Sequence, residues 1–421
     1  MPISNLVQQL GTHGPQGAAA LRKALGVSGA TLSRMVKKEE GAILRLGRAR
    51  ATRYALRRKC PGLPASLPIY KIDENGAAKK AGELTPVVPG SWVETSEGEE
   101  QLYAGLPPAL VDLSPAGYQG RRFAGQHREL GLPAGLTDWS DDHQLIALAR
   151  RGEDLTGNLI LGEESLDRFF AAPVRNSRRS DSPRLAEFSA VGGAGPSTAG
   201  EQPNFAVHRD GRHFWVKFSP GDGSPSDARW RDLLVCEELS LSLLAESGIA
   251  AAHARAYDVG KRRFLEVERS DRVGSKGRRG LCTLGPLDDA LLGRRDSWSA
   301  AAGRLQGAGL LSANDARRVR LLEAYAICIG NGDRQFGNLA FFGDGLTPTP
   351  ALTLAPAYNL FPTDAAPRAG FVPALERGEI LPQARLLDVW DEAAQLADRF
   401  WRAVGADERI SRAFRREARA R

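Results

Sequence analysis

The segment NFAVHRDGRHFWVKFSP, residues 204–220, most restricts the folds open to this chain. Its apolar and polar residues alternate on both sides of an Asp-Gly pair, which predicts a β-hairpin. Apolar residues then recur with helical spacing over residues 229–248, and a second alternating segment follows over 254–269. The second half of the chain is therefore predicted to begin with a β-rich lobe that carries one long helix.

From Asp271 onward the apolar spacing is helical almost to the C-terminus. A β-rich lobe followed by a helical lobe is a bilobal α+β arrangement. We expect the N-lobe over residues 126–270 and an all-helical C-lobe over 271–421. Before them we predict a small β-rich subdomain over 61–125, whose strands are short and separated by Gly and Pro. Residues 126–170 look mainly helical, and the polar segment 174–185 is predicted to be a surface loop.

Charge separates the first 60 residues from the rest. They hold twelve Lys or Arg against two Glu, a net charge of +10, whereas the remaining 45 basic and 48 acidic residues leave −3. A small basic module on a near-neutral body indicates a polyanionic partner for the module alone.

This basic module reads as a winged helix-turn-helix. Residues 6–10 and 18–25 have helical apolar spacing, and the second of these segments ends at Gly26. A helix with a serine cap follows over 28–38, and two short strands flank the basic turn GRAR. We predict DNA contacts from the exposed face of that helix and from the turn, through Thr31, Ser33, Arg34, Lys37, Lys38, Arg48, Arg50 and Arg53. The alternative is a basic helical hairpin that only packs on the body.

Composition excludes several other classes. Hydrophobic residues make up 42% and charged residues 25% of the chain, as in ordinary globular proteins. The N-terminus lacks the pattern of a secretory signal, and no 18-residue uncharged apolar run occurs. The four cysteines are scattered, without a CxxC pair, which predicts buried free thiols. We therefore expect a cytoplasmic protein.

Three features of the second half carry chemistry. The Gly/Ser/Thr-rich segment 191–205 could cradle phosphates through its backbone N–H groups, although a flexible linker has the same composition. Lys217 lies among apolar neighbours and needs a partner or an anionic ligand. Glu237 on the following helix can be that partner, with Glu238 as the alternative.

The stretch GNGDRQFGNL, residues 330–339, completes the series. Asp333 and Asn338 are five positions apart, which is the spacing of a protein-kinase catalytic loop. In such a loop the Asp accepts the proton of the attacking hydroxyl, and the Asn oxygen holds Mg²⁺. A structural turn is the other interpretation of this spacing. Its place after a glycine loop, a strand lysine and a helix glutamate favours phosphoryl transfer.

Together, GNGDRQFGNL, STAGEQPNF, WVKF, EVERSDR and LAPAYN resemble the HipA-type serine/threonine kinases of bacterial toxin–antitoxin systems. The basic N-terminal module and PPALVDLSPAGYQGRR are similar to the YjjJ-type subgroup in particular. The resemblance implies ATP and Mg²⁺ as cofactors and a protein hydroxyl as acceptor, with aminoacyl-tRNA synthetases the known substrate class. It also implies an antitoxin partner. From the basic first 60 residues we infer, as the alternative, that the fused DNA-binding module inhibits the kinase in cis.

The resemblance further implies individual roles. Asp333 would be the catalytic base, and Asn338 and Asn359 would be metal ligands. ATP would be bound by the phosphate loop, the ion pair and the hinge, that is by Ser197, Thr198, Ala199, Gly200, Lys217, Glu237, Glu266, Val267 and Glu268. Ser197 would also be the site of autophosphorylation.

Three positions depart from the family pattern. Asn359 stands where Asp is usual, Gln335 where His is common, and Asn204 where Lys is common. An Asn can ligate Mg²⁺ but without the negative charge. This leaves a second hypothesis open: a DNA-binding regulator that carries a degenerate kinase body. A small-molecule phosphotransferase is a third, and it ranks last because such enzymes lack the STAGEQPNF element and a DNA-binding module.

Overall fold

The structure is a computed structural model and describes residues 5–47, 52–191, 202–291, 293–343, 352–368, 370–375 and 380–420. Within these ranges the α-helices are α1 Asn5–His13, α2 Ala18–Leu25, α3 Gly29–Lys38, α4 Pro108–Leu113, α5 Gly117–Gln126, α6 Asp141–Arg151, α7 Glu163–Ala171, α8 Ser182–Val191, α9 Pro225–Glu246, α10 Leu284–Leu291, α11 Trp298–Gly307, α12 Ala313–Cys328, α13 Trp390–Ala406 and α14 Arg412–Ala418.

The β-strands of the same ranges are β1 Gln16–Gly17, β2 Ile43–Leu46, β3 Arg53–Leu56, β4 Leu67–Ile72, β5 Ala78–Pro86, β6 Ser91–Thr95, β7 Glu100–Tyr103, β8 Leu159–Leu161, β9 Asn204–Arg209, β10 Arg212–Phe218, β11 Ala254–Val259, β12 Arg262–Glu268, β13 Arg272–Val273, β14 Gly277–Arg278, β15 Leu281–Thr283, β16 Ala340–Phe342 and β17 Thr353–Leu354. Short 3-10 turns occur at Arg128–Leu130, Leu136–Asp138, Arg179–Asp181, Phe336–Asn338, Thr363–Ala365 and Ala384–Leu386.

The N-terminal unit consists of α1, α2 and α3 with the small sheet β1-β3-β2. The helices have a core of their own, formed by Leu6, Leu10, Leu21, Leu32 and Ile43. Ser28 begins α3 by accepting a hydrogen bond from the backbone N–H of Thr31 at 3.2 Å. The three helices and the strands β2 and β3 follow one another as predicted, whereas the two-residue strand β1 was not predicted. The assignment of this unit as a DNA-binding winged helix-turn-helix stays a prediction.

A middle unit follows, with the antiparallel sheet β7-β6-β5-β4-β8 and helices α4 to α7. Its core includes Leu67, Leu84, Leu110 and Leu148. Because β8 pairs with β4 in this sheet, the predicted boundary at residues 125/126 falls inside one unit. The pairing joins segments about 90 residues apart, and local sequence patterns carry no information about such long-range contacts.

The N-lobe sheet has the order β11-β12-β10-β9, and both predicted hairpins are present. Helix α9 covers one face and α8 packs on the other through Ala186. The prediction of a simple surface loop over 174–185 is therefore wrong. A 3-10 turn and the start of α8 lie there, because Pro183 suits a first helical turn and the small Ala186 fits against the sheet.

The C-lobe is built from α10 to α14 around a large apolar core that includes Trp298, Tyr325 and Phe400. The prediction of an all-helical C-lobe is wrong, because β16 pairs with β15 on one side and with β17 on the other. Strands of two or three residues are too short for alternation to be distinguished from helical spacing. The four cysteines are buried and free, as predicted. In the part of the chain that the structure describes, no helix is long and apolar enough to cross a membrane.

Candidate active site

Lys217 and Glu237 form the ion pair that the sequence predicts. Lys217 lies on β10, and its Nζ is 2.7 Å and 2.6 Å from the two carboxylate oxygens of Glu237 on α9. Glu237 is 1% exposed. Glu238, the alternative partner, accepts hydrogen bonds elsewhere, from the backbone N–H of Ala256 and from Arg409.

The same lysine also contacts the C-lobe. Its Nζ donates to Asn359 Oδ1 at 2.8 Å and lies 5.3 Å from the centre of the Phe361 ring. An ammonium group has three N–H donors. All three N–H donors of Lys217 are therefore used in hydrogen bonds to oxygens of Glu237 and Asn359. Through these bonds the lysine joins the two lobes.

Asp333 and Asn338 lie on the loop between α12 and β16. Asn338 Nδ2 donates to the backbone oxygen of Asp333 at 2.8 Å and to its Oδ2 at 3.1 Å. The buried Phe336 and Leu339 anchor the loop on the C-lobe core. Gln335, where His is common in the family, has an exposed side chain, and its carbonyl accepts a hydrogen bond from Trp298.

The loop that carries Asn359 lies against this one. The backbone N–H of Asp333 donates to Thr363 Oγ1 at 3.0 Å, and Asn331 Nδ2 donates to the carbonyl of Asn359 at 3.1 Å. Asn331 is fully buried. Sequence reasoning did not identify Asn331 or Thr363 as site residues. The only signal for Asn331 was its position two residues before Asp333.

These residues could hold a divalent cation. The side-chain nitrogen of Asn338 is engaged with Asp333, so its Oδ1 is the atom that remains for a metal. Oxygen ligands from Asp333, Asn338 and Asn359 are the kind that Mg²⁺ prefers. No cluster of three or more His, Cys, Asp or Glu side chains suited to a metal occurs among the described residues. A metal site here therefore depends on asparagine oxygens.

Asp364, which could compensate for the missing carboxylate at position 359, is exposed and lies beside the loop. Its Oδ1 occupies the space that a Cβ on Gly332 would need. A second carboxylate therefore lies next to the Asp333 loop.

The predicted hinge contact does not fit the geometry. Glu266 and Val267 lie inside β12, where β10 and β11 pair on either side and engage their backbone groups. The backbone N–H of Glu268 donates to the carbonyl of His253 at 2.8 Å. The Glu266 side chain is buried and pairs with Arg209 at 2.8 Å. The backbone N–H of Arg269 also donates to the carbonyl of His213 on β10 at 2.9 Å, so the chain leaves the sheet only after Arg269.

An ion cluster follows directly after β12. The side chains of Arg269, Asp271 and Arg272 are buried, and both arginines contact Asp271 and Asp154. Asp154 belongs to the middle unit and has an exposed side chain. Burial by itself would raise the pKa of Asp271. The charges of Arg269 and Arg272 outweigh this and hold the pKa well below its usual value. The turn after β12 is thus fixed to the middle unit by charge-assisted hydrogen bonds.

The predicted phosphate-loop residues Ser197, Thr198, Ala199 and Gly200 lie outside the described residues. Residues before and after this segment are hydrogen-bonded to each other. The carbonyl of Asn204 accepts hydrogen bonds from Ser189 Oγ at 3.2 Å and from Gln119 Nε2 at 2.9 Å. Asn204, where Lys is common in the family, therefore contacts the middle unit.

The predicted DNA-binding residues of α3 share one solvent-facing surface. Ser33, Arg34, Lys37 and Lys38 are exposed, and Thr31 is half-buried. Arg53 is exposed on β3 and donates to the carbonyl of Pro15 at 3.1 Å. Arg48 and Arg50 lie outside the described residues.

Two family models match the chain. The one described as "YjjJ-like toxin, middle domain" matches residues 63–170, which is the middle unit of the fold. The one described as "HipA-like C-terminal domain" matches residues 196–419, which contain the ion pair and both loops of the site.

Toxin YjjJ of Escherichia coli (strain K12) is 33% identical over 423 residues, a match that covers 96% of this chain and 93% of that protein. Among solved structures, HipA of Shewanella oneidensis MR-1, from a complex of HipA, HipB and operator DNA, superposes with a TM-score of 0.54 at 15% identity, over 84% of this chain and 94% of that one. This likeness shows a common fold. The Helicobacter pylori proinflammatory kinase CtkA reaches a TM-score of 0.29 at 11% identity, over 39% of this chain and 54% of that one, which is too low to indicate a shared fold.

Proposed function

The chain belongs to the family of YjjJ-like toxins with a HipA-like C-terminal domain, and from this premise we propose that it is an ATP- and Mg²⁺-dependent serine/threonine protein kinase. The observation that carries the proposal is the contact of Lys217 with both Glu237 and Asn359. It unites the strand lysine, the helix glutamate and the metal-ligand position in one site beside Asp333.

We assign roles as follows. Asp333 accepts the proton of the substrate hydroxyl, and Lys217 binds ATP phosphates while Glu237 holds its ammonium group in place. Asn338 and Asn359 hold the metal, which when bound neutralises charge on the phosphates. Ser197, Thr198, Ala199 and Gly200 would line the phosphates, and Ser197 would be autophosphorylated. The adenine would contact the chain beyond Glu268.

Binding of ATP requires an exchange at Lys217. Its three N–H donors already contact Glu237 and Asn359, so a phosphate oxygen has to replace one of them. Replacement of Asn359 frees Oδ1 for the metal and keeps the buried charge of Glu237 paired. Loss of Glu237 would leave an uncompensated buried charge, which costs several kcal/mol. Asn359 is therefore the contact that yields.

The acceptor is a protein hydroxyl, and aminoacyl-tRNA synthetases are the first substrates to test. A direct test incubates the protein with γ-labelled ATP and Mg²⁺ or Mn²⁺, alone and with such synthetases. We expect label on Ser197 or on the added protein, and its loss in Asp333→Ala. Asp167→Ala, which changes an exposed carboxylate on α7, is the matched control. Absence of label, with no recovery in Asn359→Asp, would contradict the proposal.

One observation favours a second candidate, a DNA-binding regulator with an inactive kinase body. The metal-ligand position is a neutral Asn whose oxygen is occupied by Lys217. In this case the kinase body would serve as a binding platform. Strong label that disappears in Asp333→Ala would exclude it.

Both candidates include DNA binding by the N-terminal unit in the cytoplasm. The exposed basic residues of α3 support phosphate contacts. We expect DNA affinity to fall steeply with salt, and the slope to become shallower in Lys37→Ala/Lys38→Ala. Lys79→Ala/Lys80→Ala, which removes two neighbouring lysines from the middle unit, is the matched control. A salt-independent affinity would mean that the basic surface has another role. We further propose that the kinase is restrained by bound DNA, by an antitoxin or by the N-terminal unit itself.

A further inference from the structure

Four hydrogen bonds join the catalytic loop, residues 330–338, to the Asn359 loop, residues 358–364. One is between backbone groups, from the N–H of Asp364 to the carbonyl of Gly330 at 3.1 Å. The other three use the side chains of Asn331, Thr363 and Tyr358, at 3.1 Å, 3.0 Å and 2.5 Å. Of these three side chains, those of Asn331 and Thr363 bind the backbone of Asn359 and of Asp333 themselves, whereas Tyr358 binds the carbonyl of Gly337.

Asn331 is buried in a way that stability alone does not explain. Its side chain is 0% exposed, and its Oδ1 has no hydrogen-bond partner among the described residues. A buried polar atom without a partner costs free energy, which an apolar residue would avoid. The amide is thus retained for what its Nδ2 does, and Nδ2 donates to the carbonyl of Asn359.

The contact fixes the backbone of Asn359 in a particular conformation. Its φ is 55°, in the left-handed region, which Asn adopts more readily than most other residues besides glycine. With the carbonyl held by Asn331, the side chain of Asn359 is directed to Lys217. On the other loop, Thr363 fixes the backbone of Asp333. Each side chain therefore orients a residue to which we assign a direct role.

We propose that Asn331 and Thr363 are positioning residues that set the separation of Asp333 and Asn359, and through it the affinity for metal-bound nucleotide. Neither side chain touches a reacting atom. The inference rests on the proposed kinase function, because it assigns these residues to the metal and nucleotide of that site.

The test uses two isosteric substitutions. Asn331→Asp replaces the amide donor by an acceptor, and Thr363→Val removes the hydroxyl oxygen. The same changes at exposed positions, Asn75→Asp and Thr353→Val, are the controls. Binding of a fluorescent ATP analogue is titrated with and without Mg²⁺, and phosphate transfer is measured as a function of Mg²⁺ concentration.

We expect Mg²⁺-dependent nucleotide binding to weaken about 10- to 100-fold in both variants, as for other outer partners of metal ligands. Binding without Mg²⁺ should stay as in the wild type, and high Mg²⁺ should restore the maximal rate. A purely structural role would lower the melting temperature and leave the Mg²⁺ dependence unchanged. If Asn331→Asp does not fold, Thr363→Val decides the question.

The outcomes separate the two claims. Variants that bind Mg²⁺-nucleotide like the wild type overturn the positioning role and leave the kinase proposal standing. A wild-type protein that binds no nucleotide in either condition overturns both.

Discussion

Lys217 and Asn359 determine the chemistry of the site at the scale of single residues. The positive charge of Lys217 is balanced by one negative charge, that of Glu237, because the Asn359 side chain is neutral. In a site with Asp at position 359, the same lysine would contact two carboxylates. The Asn therefore makes the ligand-free contact between the lobes weaker, and it also removes one negative charge from the proposed metal site.

The substitution Asn359→Asp tests which of these two effects dominates. A carboxylate binds Mg²⁺ more tightly than an amide oxygen, so we expect the Mg²⁺ concentration for half-maximal phosphate transfer to fall about tenfold or more. The measurement is the initial rate over a Mg²⁺ titration at fixed ATP, with Asn75→Asp as the exposed control. An unchanged Mg²⁺ requirement would mean that Asn359 is not a metal ligand.

At the scale of elements, the strand β12 and the turn after it connect the lobes to the middle unit. The side chain of Arg269 is 1% exposed and that of Arg272 is 3% exposed, and both contact the carboxylate of Asp271. The backbone N–H of Gly157, in the middle unit, also donates to Asp271 at 2.8 Å. A carboxylate with this many donors is stabilised in its ionised form. The turn after β12 is thus stabilised by contacts with the middle unit, which lies outside the two lobes.

Asp271→Asn should therefore destabilise the protein in a pH-dependent way. The pKa of Asp271 is lowered in the folded state, so its contribution is complete above the unfolded pKa of about 3.9 and is lost as pH falls below that value. At pH 7 we expect a loss of about 3–5 kcal/mol in the free energy of unfolding. Urea unfolding of wild type and variant should give curves whose difference shrinks below about pH 4.

Asp167→Asn, at an exposed carboxylate, should show no such difference. A constant gap between wild type and Asp271→Asn at every pH would contradict an ionic origin for the stabilisation.

At the scale of the whole molecule, the N-terminal unit is fixed to the body. Leu46 and Ala55 pack on Val87 of the middle unit. The backbone N–H of Val88 donates to the carbonyl of Leu56 at 2.9 Å. An apolar contact combined with backbone hydrogen bonds holds two units in one orientation. The proposed binding of DNA by α3 would therefore place the DNA in a fixed position relative to the body of the protein.

Leu46→Ala should loosen this junction. Removal of a buried leucine side chain costs about 2–5 kcal/mol. We expect a lower melting temperature and faster proteolysis around residues 57–63, with the body still folded by circular dichroism. Leu387→Ala, at an exposed leucine, should change the free energy of unfolding by less than about 0.5 kcal/mol. Equal proteolysis of Leu46→Ala and wild type would indicate that backbone hydrogen bonds alone hold the junction.

Local patterns predicted much of this molecule. Alternation gave both hairpins of the N-lobe, helical spacing gave α9, and the cap at Ser28 marked the start of α3. The Lys217–Glu237 contact was also predicted. Local patterns failed for β8 and for the three short strands of the C-lobe, because their pairing partners are distant in the chain or their lengths are too small.

The sequence by itself determined which side chains are available for chemistry: the lysine on a strand, the glutamate on a helix and the Asp and Asn five residues apart. Spacing along the chain is enough for this, because hairpins, helices and short loops are local structures. Only the tertiary structure decided which atoms meet. Contacts between Lys217 and Asn359, or between Asn331 and the same residue, depend on how the packed lobes bring distant loops together.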